Sequence, residues 1–318
     1  MNSFIPDPVA LSKARLLVSG DVMLDRYWFG DVNRISPEAP VPIVHVQKSE
    51  ERAGGAANVA LNIASLGCKA RLLAVVGNDE PATTLAKILT KDGVEVSFLE
   101  DSSLPTTVKL RVIGRQQQLI RLDFETPPSK EVLVDKLKDF ETMVNQTDVV
   151  VLSDYGKGGL NHIDKMISIC RSVGKRVLVD PKGDNYEKYR GASILTPNRS
   201  EFRQIVGKWN TESELIEKAQ KLRIHLQLEA LLVTRSEEGM TLVSEKEIVH
   251  EPTRAQEVFD PTGAGDTVIA TLGAMLAAGV PMPQAVHIAN RAAGIVVDRL
   301  GTATVTHEEL KSALARIS

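Results

Sequence analysis

The sequence Asp260-Pro-Thr-Gly-Ala-Gly-Asp266 opens an apolar segment that predicts a helix running to about Ala278. Gly279 and Pro281 follow this segment. A glycine just past the last helical residue, with a proline soon after it, is a common way to end a helix. The glycine-rich turn is therefore interpreted as the beginning of a well-bounded helix.

The turn that begins this helix combines an anion site with an acid. Gly263 and Gly265 leave the backbone uncovered on either side of Ala264, so several N–H groups can point at one phosphate. Asp266 lies in the same turn, where it could take a proton from a hydroxyl group that attacks the phosphate. An acid in a first helical turn is also favoured by the helix dipole alone. The turn by itself leaves both interpretations open.

The composition is that of an ordinary soluble globular protein. Of 318 residues, 43% are hydrophobic and 25% charged, and the net charge of −3 gives no reason to expect nucleic acid or an anionic membrane as a partner. No apolar run reaches the roughly 18–20 residues that span a bilayer, and the N-terminus lacks a signal-peptide pattern. Cys68 and Cys170 predict buried free thiols, and the histidines show no metal-ligand spacing. We therefore expect a cytoplasmic protein.

A second pair of glycines precedes another helix. Gly54 and Gly55 are followed by an alanine-rich segment that permits close packing on a sheet, and Asn58 lies one turn into it. The amide of Asn58 could bond a ligand hydroxyl, and a plain glycine-bounded helix start is the alternative. Upstream, Asp21 and Asp25 follow a short buried strand, at the place where open α/β sheets bind ligands. Solvated loop acids are the alternative there, more so for Asp21 than for Asp25.

Two segments, about residues 27–50 and 105–125, predict a small second sheet that acts as a lid. Closely spaced prolines in the first segment favour an edge strand or a flap. In the second segment apolar and polar residues alternate, so Lys109 and Arg111 share one strand face and Arg121 lies on the next strand. These cations form either a solvated basic face or a contact surface for an anionic substrate under the closed lid.

Predicted strands and helices alternate from about residue 130 to 250, which indicates a mostly parallel sheet with helices on both faces. We expect one α/β domain over residues 1–318, with the lid inserted into it. Polar residues that follow parallel strands should converge at one edge of the sheet. They are Asp21, Asp25, Asp154, Asp180, Lys182, Asn198, Glu201, Thr234 and Asp266. A phosphate site, a base, acids able to hold hydrated Mg²⁺ and a lid together suggest phosphoryl transfer.

Two other nucleotide-binding motifs are excluded. No Gly-Lys pair is followed by serine or threonine, so the chain has no P-loop. Gly263 and Gly265 are followed by Val268 where a dinucleotide fingerprint needs glycine or alanine, which argues against a hydride-transfer enzyme.

Arg52-Ala-Gly-Gly-Ala-Ala-Asn58 and Asp260-Pro-Thr-Gly-Ala-Gly-Asp266 resemble the two signatures of the ribokinase-type (phosphofructokinase B) sugar kinases, and the resemblance covers nearly the whole chain. Gly20-Asp-Val-Met-Leu-Asp-Arg-Tyr-Trp-Phe-Gly30 and Arg34-Ile-Ser-Pro-Glu-Ala-Pro-Val-Pro42 resemble, more specifically, the branch of this family that phosphorylates a heptose 7-phosphate. The resemblance implies a ribokinase-like fold, use of ATP and Mg²⁺, transfer of the γ-phosphate to the anomeric O1, and a homodimer formed through the lid.

The resemblance also implies roles for the matched positions. Asp266 would be the base, and Gly263, Ala264 and Gly265 would form the anion hole. Sugar hydroxyls would be held by Asp25, Gly54, Gly55 and Asn58. ATP would be bound by Asn198, Arg199, Ser200, Glu201, Thr234, Gly239 and Asn290. Asn198 and Glu201 would organise Mg²⁺ through water, and Asp260 and Thr262 would hold a monovalent cation such as K⁺. For the 7-phosphate, expected toward the lid, the candidates are Lys109, Arg111 and Arg121.

The product implied for this branch is a heptose 1,7-bisphosphate, a precursor of ADP-heptose and the lipopolysaccharide inner core. Such kinases are fused in many bacteria to an adenylyltransferase, whose His-x-Gly-His motif does not occur in this sequence. The chain is interpreted either as a stand-alone kinase or as the kinase half of a longer protein. Two other functions stay open: a kinase of another sugar or sugar phosphate, and a non-catalytic sugar or nucleotide binder. A pure binder would not need a base such as Asp266.

Overall fold

Short apolar runs form the strands, and longer amphipathic or apolar segments form the helices. The computed structural model describes residues 5–115, 117–253 and 260–315. In chain order the strands are Arg15–Gly20 (β1), Val22–Ile35 (β2), Pro42–Gly55 (β3), Lys69–Val76 (β4), Glu95–Glu100 (β5), Val108–Gly114 (β6), Gln117–Phe124 (β7), Val149–Ser153 (β8), Arg176–Asp180 (β9), Ile194–Leu195 (β10), Ala230–Thr234 (β11), Met240–Ser244 (β12) and Ile248–Glu251 (β13). The α-helices are Pro8–Lys13 (α1), Ala56–Ser65 (α2), Glu80–Lys91 (α3), Lys130–Val144 (α4), Ile163–Ser172 (α5), Arg199–Val206 (α6), Glu212–His225 (α7), Ala264–Ala277 (α8), Met282–Val296 (α9) and His307–Ala315 (α10).

The larger sheet has nine strands in the order β13-β12-β11-β10-β9-β8-β1-β4-β5. Neighbouring strands from β11 to β5 are parallel, and β12 and β13 add an antiparallel pair at one edge. Every residue of β8 is buried, as expected for a parallel strand covered on both faces. The predicted mostly parallel α/β sheet is therefore confirmed.

Helices cover both faces of this sheet. Successive side chains of β1 point to opposite faces, so Leu16 joins one hydrophobic cluster and Leu17 joins the other. The first cluster includes residues of α2, α8, α9 and α10, such as Ile269, and the second includes residues of α4, α5 and α7, such as Phe140. Within the described ranges no helix has both the length and the apolar character needed to cross a membrane.

The smaller sheet has four strands in the order β3-β2-β6-β7. β2 and β3 form a long antiparallel hairpin, β6 runs parallel to β2, and β7 returns antiparallel to β6. The closely spaced prolines fall in the connection after β2 and at the first residue of β3. The expectation of an edge strand for the proline-containing part of the segment is therefore right, since β3 lies at the edge of the sheet, while β2, which has no proline, lies inside it. Pairing of the hairpin extends from Val22 and Gly55, beyond the segment expected from the sequence.

Candidate active site

Asp266 lies in the first turn of α8 and is buried, with 2% of its surface exposed. Its Oδ2 accepts a hydrogen bond from Nδ2 of Asn58 at 2.8 Å, and its Oδ1 accepts one from the hydroxyl of Tyr155 at 2.7 Å. Asn58 belongs to α2 and Tyr155 follows β8, so three separate elements meet at this carboxylate. An acid placed only to favour the helix dipole would not need burial or two donors from other elements, so the geometry favours a functional carboxylate.

Burial raises the pKa of Asp266 to about 6, because the charged carboxylate loses solvation. The hydrogen bonds from Asn58 and Tyr155 lower the same pKa, since they stabilise the charged form. The nearby charge of Asp25 raises it and that of Lys109 lowers it. The carboxylate is therefore ionised at neutral pH and yet able to take up a proton close to that pH, as a general base requires.

The turn before α8 presents free N–H groups next to this base. Gly263 precedes the helix in the left-handed conformation, with φ of 80°, which glycine adopts without strain. A Cβ at this position would lie 2.9 Å from Nδ2 of Asn58, so glycine also lets α2 approach the turn. The N–H group of Ala264 is bonded within the turn, whereas those of Gly265 and Asp266 have no backbone acceptor in the part of the chain that the structure describes. The geometry of an anion site is thus present beside the carboxylate.

Asp25 forms a second part of the site on the small sheet. It is buried on β2 and forms an ion pair with Arg111 of β6, with 2.5 Å between nitrogen and oxygen. Gly54 packs directly against this carboxylate, since a Cβ there would overlap with the Asp25 side chain. The guanidinium of Arg111 lies 5.1 Å from the centre of the Tyr27 ring, and that of Arg52 lies 5.4 Å from it. Asp25 is therefore held in one orientation by its neighbours.

The structure separates the three cations that the sequence grouped together. Arg111 is already paired with the carboxylate on β2, and Arg121 pairs with Asp123 on the exposed strand β7 at 2.8 Å. Lys109 forms no ion pair with any described residue, and its ammonium lies 5.9 Å from the centre of the Tyr155 ring. Burial lowers the pKa of Lys109, because the charged ammonium loses solvation. Of these three cations, only Lys109 has no carboxylate partner among the described residues, which leaves its ammonium available to an anionic group of the substrate.

A cavity of about 170 Å³ opens beside the turn, at the carboxyl edge of the large sheet. It is lined by the backbone of Gly265 and by polar residues that follow four different strands. Those polar residues include Asp154, Asp180, Lys182, Asn198, Glu201 and Thr234. The predicted convergence is therefore found for these residues. Asp21 is used differently, because its carboxylate accepts backbone N–H groups of the loop after β8.

Asp180 is the last residue of β9, and its carboxylate accepts no hydrogen bond within residues 5–115, 117–253 and 260–315. Loss of solvation raises its pKa well above the usual value, and repulsion from Asp266 adds to this. Asp154, by contrast, is bonded by Lys188 at 2.7 Å and Tyr189 at 2.8 Å. A desolvated carboxylate without a donor, facing a polar cavity, is a suitable place for a cation.

Asn198 and Glu201 form the capping box at the start of α6. Oδ1 of Asn198 accepts the N–H group of Glu201 at 3.0 Å, and Oε2 of Glu201 accepts the N–H group of Asn198 at 3.0 Å. Glu201 also accepts a hydrogen bond from Nζ of Lys182 at 2.7 Å. Both residues therefore stabilise the helix and line the cavity. Ser200 bonds to Asn198, and Arg199 pairs with Glu238 away from the cavity lining.

The remaining sequence candidates lie before α8, after β11 and on α9. Asp260 accepts the N–H groups of Thr262 at 2.9 Å and Gly301 at 2.7 Å, so the loop before α8 and the loop after α9 are in contact. Gly239 has a φ of 87° in the turn before β12. Asn290 of α9 donates to the carbonyl of Pro252 at 2.8 Å, which leaves its amide engaged by the backbone.

Sequence reasoning missed Tyr155 and Lys136. Tyr155 contacts the base directly, and Lys136, buried on α4, donates to the backbone of the loop that carries Tyr155. The position of Tyr155 just after the end of β8 was an available signal, because the other strand-end residues converge at the same edge. Nothing in the sequence around Lys136 marks it as buried.

The site combines a base with an anion site at the carboxyl edge of a parallel sheet, in a chain without a P-loop. This arrangement is typical of a small-molecule kinase. Residues 13–309 match the model of the pfkB family of carbohydrate kinases, and the chain belongs to this family. The family membership inferred from the two glycine signatures is therefore confirmed, and with it a phosphotransferase that uses an alcohol group as acceptor.

Relatives of high identity lie in one branch of the family. The D-beta-D-heptose 7-phosphate kinase of Bordetella bronchiseptica is 52% identical, and the match covers 98% of this chain and 98% of that protein. Bifunctional protein HldE is 55% identical in Chromohalobacter salexigens, over 97% of this chain, and 54% identical in Haemophilus influenzae, over 95% of it. The chain spans 65% and 64% of the lengths of these two bifunctional proteins.

Solved structures of low sequence identity share the fold. Ribokinase of Arabidopsis thaliana, in a complex with ribose and ATP, gives a TM-score of 0.77 at 20% identity and covers 95% of this chain and 99% of that one. Phosphofructokinase-2 of Escherichia coli, in complex with potassium, gives 0.78 at 18% identity, with coverage of 95% and 98%. The expected ribokinase-like fold is confirmed.

Proposed function

We propose that the protein transfers the γ-phosphate of ATP to O1 of D-glycero-β-D-manno-heptose 7-phosphate and forms the 1,7-bisphosphate. The observation that carries this proposal is the buried, ionisable carboxylate of Asp266 beside the free N–H groups of the α8 turn. The choice of sugar is supported by the heptose 7-phosphate kinase that is 52% identical over nearly the full length of both chains. In the cell this reaction would supply ADP-heptose for the lipopolysaccharide core.

In the proposed reaction, Asp266 accepts the proton of the anomeric hydroxyl as O1 attacks the γ-phosphorus. A bond forms between O1 and phosphorus, and the bond from phosphorus to the β,γ-bridging oxygen breaks, so ADP leaves. The N–H groups of Gly265 and Asp266, which have no backbone acceptor among the described residues, are proposed to bond the phosphoryl oxygens, whose charge is redistributed in the transition state. Asp25 and Asn58, held on the sugar side of the base, are proposed to bond sugar hydroxyls.

The pKa of Asp266 predicts how activity depends on pH. The base is protonated below pH about 6, so kcat/KM is expected to fall tenfold per pH unit below that value and to be level above it. A profile of kcat/KM from pH 5 to 8.5, in buffers of constant ionic strength, measures this. Activity that stays level down to pH 5 would exclude a base with this pKa. ADP release is followed with the coupling enzymes in excess at each pH.

We infer that ATP is bound with Mg²⁺ at the cavity beside the turn. Asp180 fits such an ion, because its carboxylate faces the cavity without a donor among the described residues. In those same ranges no group of three or more His, Cys, Asp and Glu side chains is gathered closely enough to hold a metal alone. Mg²⁺ commonly keeps several waters and binds substrate phosphates, which suits water-mediated contacts to Asn198 and Glu201. When bound, the ion neutralises charge on the phosphates.

Glu201→Gln is expected to raise the Mg²⁺ concentration for half-maximal rate by about 10-fold or more, as loss of an outer ligand partner commonly does. The KM for sugar should change little. Glutamine keeps the size of the side chain and can still accept the N–H group of Asn198, so the α6 cap is retained. Glu217→Gln, in an exposed pair with Lys221, is the matched control. A defect confined to sugar affinity would rule out the assignment to Mg²⁺.

We further propose that Asp260 and Thr262 contribute to a site for a monovalent cation such as K⁺. The support is the contact of the Asp260 carboxylate with the backbone of Gly301, which brings the loops before α8 and after α9 together next to the α8 turn. Asn290, Thr234 and Gly239 are proposed to lie on the nucleotide side, since Thr234 lines the cavity.

The protein is proposed to act in the cytoplasm, together with a fused or separate adenylyltransferase.

We propose that the small sheet forms a homodimer interface as well as a lid. Strand β7 exposes its large apolar side chains by 39–53%, and these are Leu119, Ile120, Leu122 and Phe124. Such a group on an edge strand is expected to be covered by a partner. Light scattering after size exclusion should give twice 34.6 kDa for the wild type and a smaller mass for Ile120→Lys. The control is Ile224→Lys on α7, also exposed. A monomeric wild type at micromolar concentration would refute the interface.

The experiment that tests the proposed function is a coupled ADP-release assay with a panel of sugars. Heptose 7-phosphate is expected to give the highest kcat/KM, above unphosphorylated heptose, fructose 1-phosphate and tagatose 6-phosphate. A preference for one of the hexose phosphates would assign the protein to another branch of the family. No ATP turnover with any sugar would leave a non-catalytic binder.

A further inference from the structure

Tyr155 contacts the base from the loop after β8 and also lines the cavity beside the α8 turn. Its hydroxyl donates to Oδ1 of Asp266 at 2.7 Å, while Asn58 donates to Oδ2 at 2.8 Å. Each carboxylate oxygen therefore keeps one lone pair for an incoming proton. Asp266 cannot rotate about its terminal torsion without losing both hydrogen bonds, so the two donors fix the direction of those free lone pairs.

Two buried charged side chains, Asp21 and Lys136, hold the loop that carries Tyr155. The carboxylate of Asp21 accepts the N–H groups of Tyr155 at 2.9 Å, Lys157 at 3.0 Å and Gly159 at 2.9 Å. Lys136 is 2% exposed and donates to the carbonyl oxygen of Gly159 at 2.7 Å. A buried acid that accepts N–H groups from three alternate residues of one loop holds that loop in a single conformation. The position of the Tyr155 hydroxyl is therefore set before any substrate binds.

The tyrosine is a donor throughout the working pH range. Burial raises the pKa of Tyr155 well above its usual value, and the charges of Asp266 and Asp180 raise it further. The phenol thus stays protonated, and its hydrogen bond stabilises the charged form of Asp266 more than the neutral form. The other charged groups that face Asp266 are Asp25 from β2, Lys109 from β6 and Asp180 from β9, and Lys109 also lies against the Tyr155 ring.

We propose that Tyr155 is a positioning residue for the reaction, which orients the carboxylate of Asp266 through Oδ1 and favours its ionised form. This inference rests on the proposed function, because it assigns Tyr155 to the base of that reaction. It adds to the base a hydrogen-bond donor, Tyr155, that lies in the loop after β8 and outside both glycine signatures. The expected consequence is that loss of the hydroxyl makes Asp266 a carboxylate that holds its proton to higher pH.

Tyr155→Phe tests this, because it removes one hydrogen bond to a charged group and keeps the ring. The acid limb of the kcat/KM profile is expected to move up by about one to two pH units. The rate should be low at pH 7 and recover in part near pH 9. Tyr186→Phe is the control, since the buried hydroxyl of Tyr186 has no hydrogen-bond partner in the described ranges. A Tyr155→Phe enzyme with an acid limb at the wild-type pH overturns the proposal, whatever its melting temperature.

A second readout does not depend on activity. The carboxyl carbon of Asp266, labelled with [4-¹³C]aspartate and assigned with Asp266→Asn, reports its pKa by NMR in the absence of substrate. An upward shift in Tyr155→Phe of about one unit or more is expected, and an unchanged pKa overturns the proposal. If the wild type phosphorylates no sugar, the proposed function fails while this titration still decides whether Tyr155 governs Asp266.

Discussion

Asp266→Asn is expected to lower kcat by about 10²–10⁴-fold, the usual contribution of general acid–base catalysis. Asparagine has nearly the shape of aspartate but cannot accept the proton of O1. ATP should still bind, because the groups that face its phosphates in the α8 turn are backbone N–H groups. Steady-state kinetics with saturating heptose 7-phosphate, together with calorimetric ATP binding, measures the two effects separately.

Asp164→Asn provides the matched control for this change. Asp164 also lies in the first turn of a helix, α5, but is exposed there. If an acid in such a turn served only the helix dipole, the two variants would behave alike. An Asp266→Asn enzyme with near-normal turnover would remove Asp266 from the mechanism, and the anion site would then be a glycine-rich helix cap.

Arg111→Ala is expected to destabilise the fold by about 3–5 kcal/mol, because it leaves the buried carboxylate of Asp25 without its partner. The side chains of the pair are only 13% and 4% exposed, so solvent cannot replace the lost contact. The KM should rise for heptose 7-phosphate and for unphosphorylated heptose alike, since Asp25 is the residue proposed to hold sugar hydroxyls. Thermal unfolding and KM values for both substrates measure these effects.

Lys109→Ala tests whether Lys109 is the residue that binds the 7-phosphate. Loss of a hydrogen bond to a charged group should weaken heptose 7-phosphate binding by about 1.5–3 kcal/mol and leave unphosphorylated heptose nearly unchanged. Arg121→Ala, which breaks an exposed pair with Asp123, should change the binding free energy of either sugar by less than about 1 kcal/mol. If Lys109→Ala weakened the binding of both sugars equally, Lys109 would not be the residue that recognises the 7-phosphate. A selective loss in Arg111→Ala would return that role to Arg111.

The parts of the fold that depend on local pattern could be predicted from the sequence. The glycine turn and apolar run predicted α8, and strand–helix alternation predicted a parallel sheet with its polar residues at one edge. The ion pair between Asp25 and Arg111 could not be predicted, because it depends on how β2 and β6 pair. Two strands far apart in sequence can pair in several registers, and a shift by one residue would turn Arg111 to the other face of the small sheet.

The contacts of Asp266 also divide into those that the sequence predicts and those that depend on contacts between distant segments. Asp266 and Asn58 each lie in one of the two signatures, but the hydrogen bond between them could not be predicted, because it requires α2 to approach the turn at Gly263 closely. Tyr155 was missed because loops after strands have no periodic pattern that fixes where a side chain points. Its position depends on Asp21 and Lys136, two buried charges that come from distant parts of the chain.

The most direct test of the proposed function is the position of the new phosphate in the product. The protein is incubated with ATP, Mg²⁺ and D-glycero-β-D-manno-heptose 7-phosphate, and the product is examined by ³¹P and ¹H NMR. We predict a second phosphorus signal coupled to the anomeric proton, with the 7-phosphate intact and one ADP formed per product. A phosphate on any other hydroxyl, or ATP consumption without a phosphorylated sugar, would contradict a kinase in which Asp266 activates O1.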